Sequence, residues 1–186
     1  YHDLFTNDIL YLDLGFNLHS LPQSWLSYLP LFGRALTETG TTEHTFVQLL
    51  QHIGRSTGGI HEQFFISSAP ERAQASAWLF LRGKSMVPQA GELLLILDEI
   101  LRGARLDDRE RIRQMALEEK ASLEAGVVRS GHQVINTRLK SRFDEAGWAN
   151  ELIGGASYLF FLRDLITLLR KEAADYVPHG PTALAA

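Results

Sequence analysis

The chain has no cysteine among its 186 residues. This absence excludes disulfides, thiolate nucleophiles and metal sites that depend on cysteine ligands. The chain also lacks a large excess of basic residues: its formal net charge is −4, and acidic and basic residues are mixed along it. We therefore expect no nucleic-acid partner. Charged residues interrupt the longest apolar runs before they reach the roughly 20 residues of a membrane span. We therefore expect no membrane partner.

The residues that are present are typical of one globular domain. Apolar residues make up 45% of the chain and charged residues 22%, and the length suits a single domain with a sizeable core. The chain begins with Tyr1 rather than Met, and its last residues, VPHGPTALAA, are rich in proline and small side chains. We predict a single domain over residues 1–175 and a tail or the start of a linker over 176–186, as a fragment of a longer protein.

Three segments have the residue pattern of β-strands. Apolar and polar residues alternate strictly over 10–18, which predicts a half-buried strand. The segments GIHEQFFISS and SAWLFLRGKS predict two more strands. The polar loop around 68–74 between them predicts antiparallel pairing.

Helical patterns fill most of the remaining chain. One helix is predicted over about 20–40, kinked or split by Pro30, and a second over 46–56. Four helices follow the strands: one over about 88–103, a charged one that opens at Asp107, one that ends near Phe143 and a last one over about 148–171. This order predicts an α+β fold, with an antiparallel-rich sheet covered by helices.

Glu43-His44 is the first candidate for a metal site, because the inverted zinc-protease motif H-x-x-E-H ends in this pair. The first histidine of that motif would fall on Gly40, which offers no ligand. A helix start explains the pair better, with Thr42 as the cap and Glu43 in the first turn, where the helix dipole favours a carboxylate.

The other histidines form no stronger motif. His61-Glu62 begins the order H-E-x-x-H, but Phe65 stands at its last position and the segment is a predicted strand. His44 and His52 lie two helical turns apart, and two imidazoles without a third ligand make a weak metal site at best. We expect zinc binding no better than background.

The sequence gives no firm motif for serine or phosphate chemistry. The pattern G-x-S-x-G occurs once, as GRSTG at 54–58, but it follows a predicted helix rather than a strand and is therefore no nucleophile elbow. No G-x-x-x-x-G-K-[ST] phosphate loop is present, although the sequence does not exclude a Ser-His-Asp triad assembled by the fold. A basic stretch could contact an acidic partner, but a solvated helix face explains it better. Its members are Arg129, His132, Arg138, Lys140 and Arg142.

Two long stretches resemble the presequence protease branch of the pitrilysin/insulinase family of zinc metallopeptidases. The first runs from TNDILYLDLG to HEQFFISS, and the second is SGHQVINTRLKSRFDEAGWANELIGGASYLFFLRDL. The resemblance implies one repeat unit of the pitrilysin/insulinase (LuxS/metallohydrolase-like) fold, incomplete here. The segment resembles the third of four related domains, which close as two halves around a peptide. In that family only the first domain carries the working H-x-x-E-H.

The resemblance also implies where a catalytic motif would lie in this segment. In a catalytic domain of the family, H-x-x-E-H precedes a Gly-Thr pair, and the Gly-Thr pair at 40–41 places the motif on LFGRA. Leu31 and Ala35 then take the two histidine positions, and Arg34 takes the position of the glutamate. All three functional side chains of the motif are therefore missing.

The downstream zinc ligand of the family has only a weak counterpart. Glu118 or Glu119 lies in the expected neighbourhood, but a lone glutamate on a charged helix does not make a zinc site. The resemblance thus implies no catalytic residue and no metal in this segment, with zinc expected in the catalytic domain of the parent protein. It assigns no substrate-binding residue.

The function implied by the resemblance is that of a noncatalytic domain in a zinc-dependent metalloendopeptidase that degrades oligopeptides. Such a domain would form part of a closed peptide chamber, and its partners would be the other domains of the same chain and unfolded peptide substrates. The alternative is a structural or assembly subunit with the same fold and no proteolytic role, and a third possibility is an independent hydrolase. The compartment would be the cytoplasm in a bacterium, and the mitochondrion or plastid in a eukaryote.

Overall fold

The computed structural model describes residues 5–68 and 74–175. Its three strands, β1 (Ile9–Asn17), β2 (Ile60–Ser67) and β3 (Ser76–Met86), form one sheet in the order β1-β3-β2. The predicted tail over 176–186 lies outside the described residues, as does most of the predicted loop between β2 and β3.

The central strand β3 is antiparallel to both of its neighbours, as predicted for its pairing with β2. Leu81 of β3 lies opposite Leu14 of β1. Alternate side chains of β3, among them Ala77, Leu79 and Leu81, are buried, because successive residues of a strand point to opposite faces. One face of the sheet therefore packs against the helices.

The helices of the described residues surround this buried face and extend away from it. They are α1 (Leu29–Glu38), α2 (Phe46–Ser56), α3 (Ala90–Gly103), α4 (Arg109–Arg129), α5 (Gly131–Lys140), α6 (Glu145–Gly154) and α7 (Ala156–Asp175). Sheet and helices together confirm the predicted α+β class.

The first predicted helix, over about 20–40, is split in the structure as Pro30 suggested. A short 3-10 helix, Gln23–Tyr28, leads directly into α1. Pro30 lies in the first turn of α1, where a missing backbone N–H removes no hydrogen bond of the helix. The proline therefore marks where the α-helix begins.

The start of α2 corrects the expected cap. Thr45 is the capping residue: its hydroxyl accepts from the backbone N–H of Gln48, and the Gln48 side chain accepts from the backbone N–H of Thr45. The predicted cap at Thr42 is wrong, and Glu43 precedes the helix instead of lying in its first turn.

The predicted last helix, over about 148–171, is two helices, α6 and α7. At the break, the buried Glu151 carboxylate accepts from the backbone N–H of Ser157 at 3.0 Å and from Arg138 Nη1 at 2.8 Å. A Cβ on Gly155 would lie 2.0 Å from Glu151 Oε2, so only glycine fits beside this carboxylate. Because the apolar pattern continues through the break, periodicity alone did not reveal it.

By length and composition, the stretch Glu145–Lys171 is apolar enough to cross a membrane. Glu151 and Arg163 interrupt this stretch as expected, but by hydropathy these charges do not exclude a membrane span. The test is weak evidence by itself, because helices in the core of a protein also pass it. In the fold the stretch is broken into α6 and α7, which pack against each other, and α7 also packs against α4. The absence of a membrane partner stays a prediction.

Helix α1 contributes to all three clusters of buried apolar side chains in the described residues. Leu36 belongs to the cluster between the sheet, α2 and α3. Leu31 and Ala35 belong to the cluster shared with α4 and α7. Leu29 belongs to a third cluster at one end of β3. The position of α1 is therefore determined from several sides at once.

We expect Ile96→Ala to lower the free energy of unfolding by about 2–5 kcal/mol, because Ile96 on α3 is fully buried and its truncation leaves a cavity. The adjacent Leu95 is 65% exposed, so Leu95→Ala should change stability by no more than about 0.5 kcal/mol. Urea denaturation measures both values. Equal effects of the two substitutions would contradict the described core.

Candidate functional site

The two positions that the resemblance assigns to lost histidines lie on the buried side of α1. Leu31 and Ala35, one helical turn apart, are only 5% and 3% exposed. They pack in one cluster with Met115 of α4 and Tyr158 of α7. Neither side chain has an atom that could bind a metal or transfer a proton, so their chemistry at this place is apolar packing.

Arg34, the third of these positions, is held among three carboxylates, and we call Arg34, Glu38, Glu118 and Glu119 the Arg34 cluster. Its guanidinium donates two hydrogen bonds to Glu38, from Nε at 3.1 Å and from Nη2 at 2.7 Å. Nη2 also donates to Glu118 at 3.1 Å, and Nη1 lies 4.0 Å from Glu119 Oε2. The cluster thus joins α1 to α4, and it contains both glutamates considered as counterparts of a downstream zinc ligand.

The charges of the Arg34 cluster affect one another differently. Hydrogen bonds from Arg34 lower the pKa of the exposed Glu118 carboxyl. Burial raises the pKa of Glu119 above its ordinary value, and the nearby Arg34 charge only partly offsets this effect. Hydrogen bonds to Glu38 raise the pKa of Arg34, although burial acts against them. The guanidinium therefore stays protonated and cannot act as a general base.

An open apolar groove of about 760 Å³ runs along α1 beside the Arg34 cluster, and we call it the apolar groove. Its exposed side chains include Trp25, which is 60% exposed, and Phe32, which is 38% exposed. The lining residues are Leu21, Ser24, Trp25, Tyr28, Leu29, Leu31, Phe32, Ala35, Leu106, Ile112 and Leu165. Its lining is mostly apolar, with hydroxyl groups only on Ser24 and Tyr28, and a surface of this kind can bind apolar side chains.

A second group of polar side chains lies at the other end of α1, across the turn that follows it. His44 Nδ1 lies 2.9 Å from Glu99 Oε1, and His52 Nε2 lies 3.1 Å from Glu92 Oε1. The two imidazole rings are 5.6 Å apart, centre to centre. The structure thus brings His44 and His52 together, as their spacing allowed, and adds two glutamates of α3.

The glutamate beside His44 is the residue that the sequence analysis missed. Glu99 lies more than 40 positions after the two histidines, so no short motif contains it. Glu92 and Glu99 are two turns apart on α3 and so lie on one side of that helix, while His44 lies just before α2 and His52 within it. Matching the spacing of the two glutamates to that of the two histidines could have suggested the contact.

Burial alone would raise the pKa of Glu99. The Thr41 hydroxyl donates a hydrogen bond to its carboxylate, and the His44 ring is also hydrogen bonded to it. These bonds and the nearby His44 and His52 rings outweigh burial and hold the pKa of Glu99 below its ordinary value. Glu99 is therefore an anion oriented by its neighbours.

The remaining candidates stay apart from both groups. His61 is exposed on β2 and Glu62 is half-buried, and neighbouring strand residues point to opposite faces. All five members of the basic stretch lie at least partly exposed on the surface, which agrees with the preferred interpretation of a solvated helix face. One of them, Arg138, pairs with the buried Glu151 and so has a structural role.

Comparison with known proteins supports the resemblance over almost the whole chain. The family model described as Peptidase M-16C associated matches residues 1–165. Presequence protease 1, chloroplastic/mitochondrial, of Arabidopsis thaliana is 39% identical over 94% of this chain and 16% of its own length. Protein HypA of Clostridium perfringens is 29% identical over 87% of this chain and 17% of its own length. The mitochondrial presequence protease of Yarrowia lipolytica is 27% identical over 92% of this chain and 18% of its own length. The chain thus spans about a sixth of the length of these curated relatives.

We expect Glu118→Gln and Glu119→Gln to change the pH dependence of stability in opposite directions. The pKa of Glu119 is raised on folding, so the wild type loses stability as the pH rises from about 4.5 through that raised value. Glu119→Gln removes this loss and gains stability relative to wild type over that window. The pKa of Glu118 is lowered, so its contribution is lost as the pH falls from 4.5 through the lowered value.

Glu118→Gln should therefore lose stability relative to wild type as the pH rises to about 4.5. Urea denaturation at several values between about pH 3 and pH 7 measures both variants against the wild type. Because the two residues are adjacent on α4, each variant is the control for the other. If both substitutions changed the free energy of unfolding in the same direction relative to the wild type, the Arg34 cluster would not have the charges described.

Proposed function

The chain belongs to the Peptidase M-16C associated family, and from this we propose that it is a noncatalytic domain, over residues 1–175, of a longer zinc-dependent metalloendopeptidase. That enzyme degrades oligopeptides, and its zinc lies in a catalytic domain outside this chain. The domain forms part of the wall of the closed peptide chamber and packs against the other domains of the same protein. The names of the relatives, presequence proteases, support a peptidase over an assembly subunit.

The observation that carries the noncatalytic role is the ion pairing of Arg34. A working H-x-x-E-H needs two imidazoles and a carboxylate around one cation. Here Leu31 and Ala35 are the apolar residues at the histidine positions, and a fixed positive charge at the third position pairs with Glu118 and Glu119. We interpret the guanidinium as the local substitute for a metal ion, because it neutralises carboxylates that would otherwise repel one another.

The apolar groove supports the packing role. Side chains such as Trp25 and Phe32 are exposed in this chain, although an exposed apolar groove of this size is typical of an interaction surface. The relatives continue for about five sixths of their length outside the matched region, so further domains are available to cover it. We assign a neighbouring domain of the same protein as the occupant of the groove.

We expect the 186-residue chain to cleave no unfolded oligopeptide in the presence of Zn²⁺, whereas the full-length protein should cleave it. A chelator should abolish cleavage by the full-length protein, and added Zn²⁺ should restore it, because the catalytic ion is proposed to lie in another domain. Chromatography of the peptide products measures both activities. A full-length protein without peptidase activity would favour the assembly subunit, and cleavage by the chain alone would contradict the noncatalytic role.

We expect Trp25→Ala to have different effects on the isolated chain and on the full-length protein. In the chain, Trp25 is 60% exposed, so its truncation should change the free energy of unfolding by less than about 1 kcal/mol. In the full-length protein it would be buried at an interface, where a tryptophan commonly contributes about 2 kcal/mol or more. Urea denaturation of both proteins measures the difference, with Val128→Ala, 87% exposed on α4, as control. Equal small effects in both proteins would show that no domain covers the groove.

A further inference from the structure

His44, His52 and Glu99 form a compact group, which we call the histidine cluster. One donor atom from each residue lies within 4.8 Å of the other two. The side chains of His44 and His52 are 34% and 20% exposed, and that of Glu99 is 11% exposed, so an ion can reach the group while most of its ligand atoms are shielded from water. The three residues come from the segment before α2, from α2 itself and from α3.

The hydrogen bonding of His52 leaves one nitrogen available. When Nε2 carries the proton, it can donate to Glu92 at 3.1 Å. The ring then has a lone pair on Nδ1, and this atom is buried without a hydrogen-bond partner among the described residues. Buried polar atoms normally have a partner, so the lone pair needs an electron-pair acceptor. A carboxylate on the far nitrogen of a histidine is also the usual support of a metal-bound imidazole.

From this geometry we infer that the histidine cluster binds one divalent transition-metal ion, with Zn²⁺ as its best match. Two imidazoles and one carboxylate are a ligand set that zinc accepts, with the fourth position left for water. Ligands of one zinc ion are about 3.4 Å apart in a tetrahedron, so the donor atoms would have to approach by at most about 1.4 Å. Mg²⁺ and Ca²⁺ fit less well, because they prefer oxygen ligands.

The neighbours of the cluster support the same ion. The Thr41 hydroxyl donates to Glu99, which orients the carboxylate in the way that outer partners orient metal ligands. Glu99 adds a carboxylate oxygen to the two imidazole nitrogens, and all three donor atoms lie close together. The expectation of background zinc binding rested on the lost protease motif and on two imidazoles without a third ligand, and Glu99 supplies that third ligand. This site is separate from the Arg34 cluster, and the inference does not depend on the proposed function.

The test is titration of the 186-residue chain with Co²⁺, whose visible absorption reports its coordination, followed by competition with Zn²⁺. We expect one Co²⁺ per chain, with the strong visible bands of a four-coordinate ion, and displacement by one equivalent of Zn²⁺. His52→Ala and Glu99→Gln should weaken affinity at least about tenfold, because each removes a ligand. His61→Ala, an exposed histidine on β2, should bind like the wild type. Mg²⁺ should not displace the ion.

Circular dichroism of the metal-free proteins controls for loss of the fold. If either variant unfolds, His44→Gln replaces it, because that ring is the most exposed of the three ligands. Binding that is absent from the folded wild-type chain, or unchanged in the folded ligand variants, would overturn the inference. Neither result would affect the proposed function, because peptide cleavage by the full-length protein is measured independently.

Discussion

The ion pairing of Arg34 with the carboxylates of α1 and α4 is the constraint on which the arrangement of the domain depends. Glu38, Glu118 and Glu119 converge on one guanidinium, and without it three negative charges would lie close together, one of them largely buried. The same helix places Leu36 in the core under the sheet, and Leu31 and Ala35 in the core under α7. Pairing and packing together fix α1, and α1 in turn shapes the apolar groove.

The turn after α1 connects this constraint to the histidine cluster. Gly40 has a φ of +79° there, a left-handed conformation that glycine adopts without strain. A Cβ at this position would lie 2.6 Å from the backbone nitrogen of Phe46, so no other residue fits the close approach. The turn brings Thr41 and His44 to Glu99 of α3. The Gly-Thr pair from which the lost motif was predicted thus also positions the cluster proposed as a metal site.

Local sequence patterns predicted much of the fold, and they failed where a distant contact decided the outcome. Strict alternation predicted β1, and the apolar stripe predicted α2 and its end near Ser56. The last helix was predicted as one, because nothing in its apolar pattern shows that the Glu151 carboxylate would bind Ser157 and exclude a side chain at 155. The cap of α2 was placed on Thr42 instead of Thr45, since several residues near this start can cap a helix.

The sequence by itself determined the α+β class, most element positions and the family, because these depend on periodicity and on residues spread along the whole chain. From the resemblance it also predicted that Leu31, Arg34 and Ala35 occupy the positions of the protease motif. Only the tertiary structure decided what these residues do, since the partners of Arg34 on α4 lie more than 80 positions away. The same holds for Glu99, which turns a pair of histidines into a set of three ligands. Contacts between distant segments form only when the helices pack around the core, and they cannot be predicted from any short stretch of sequence.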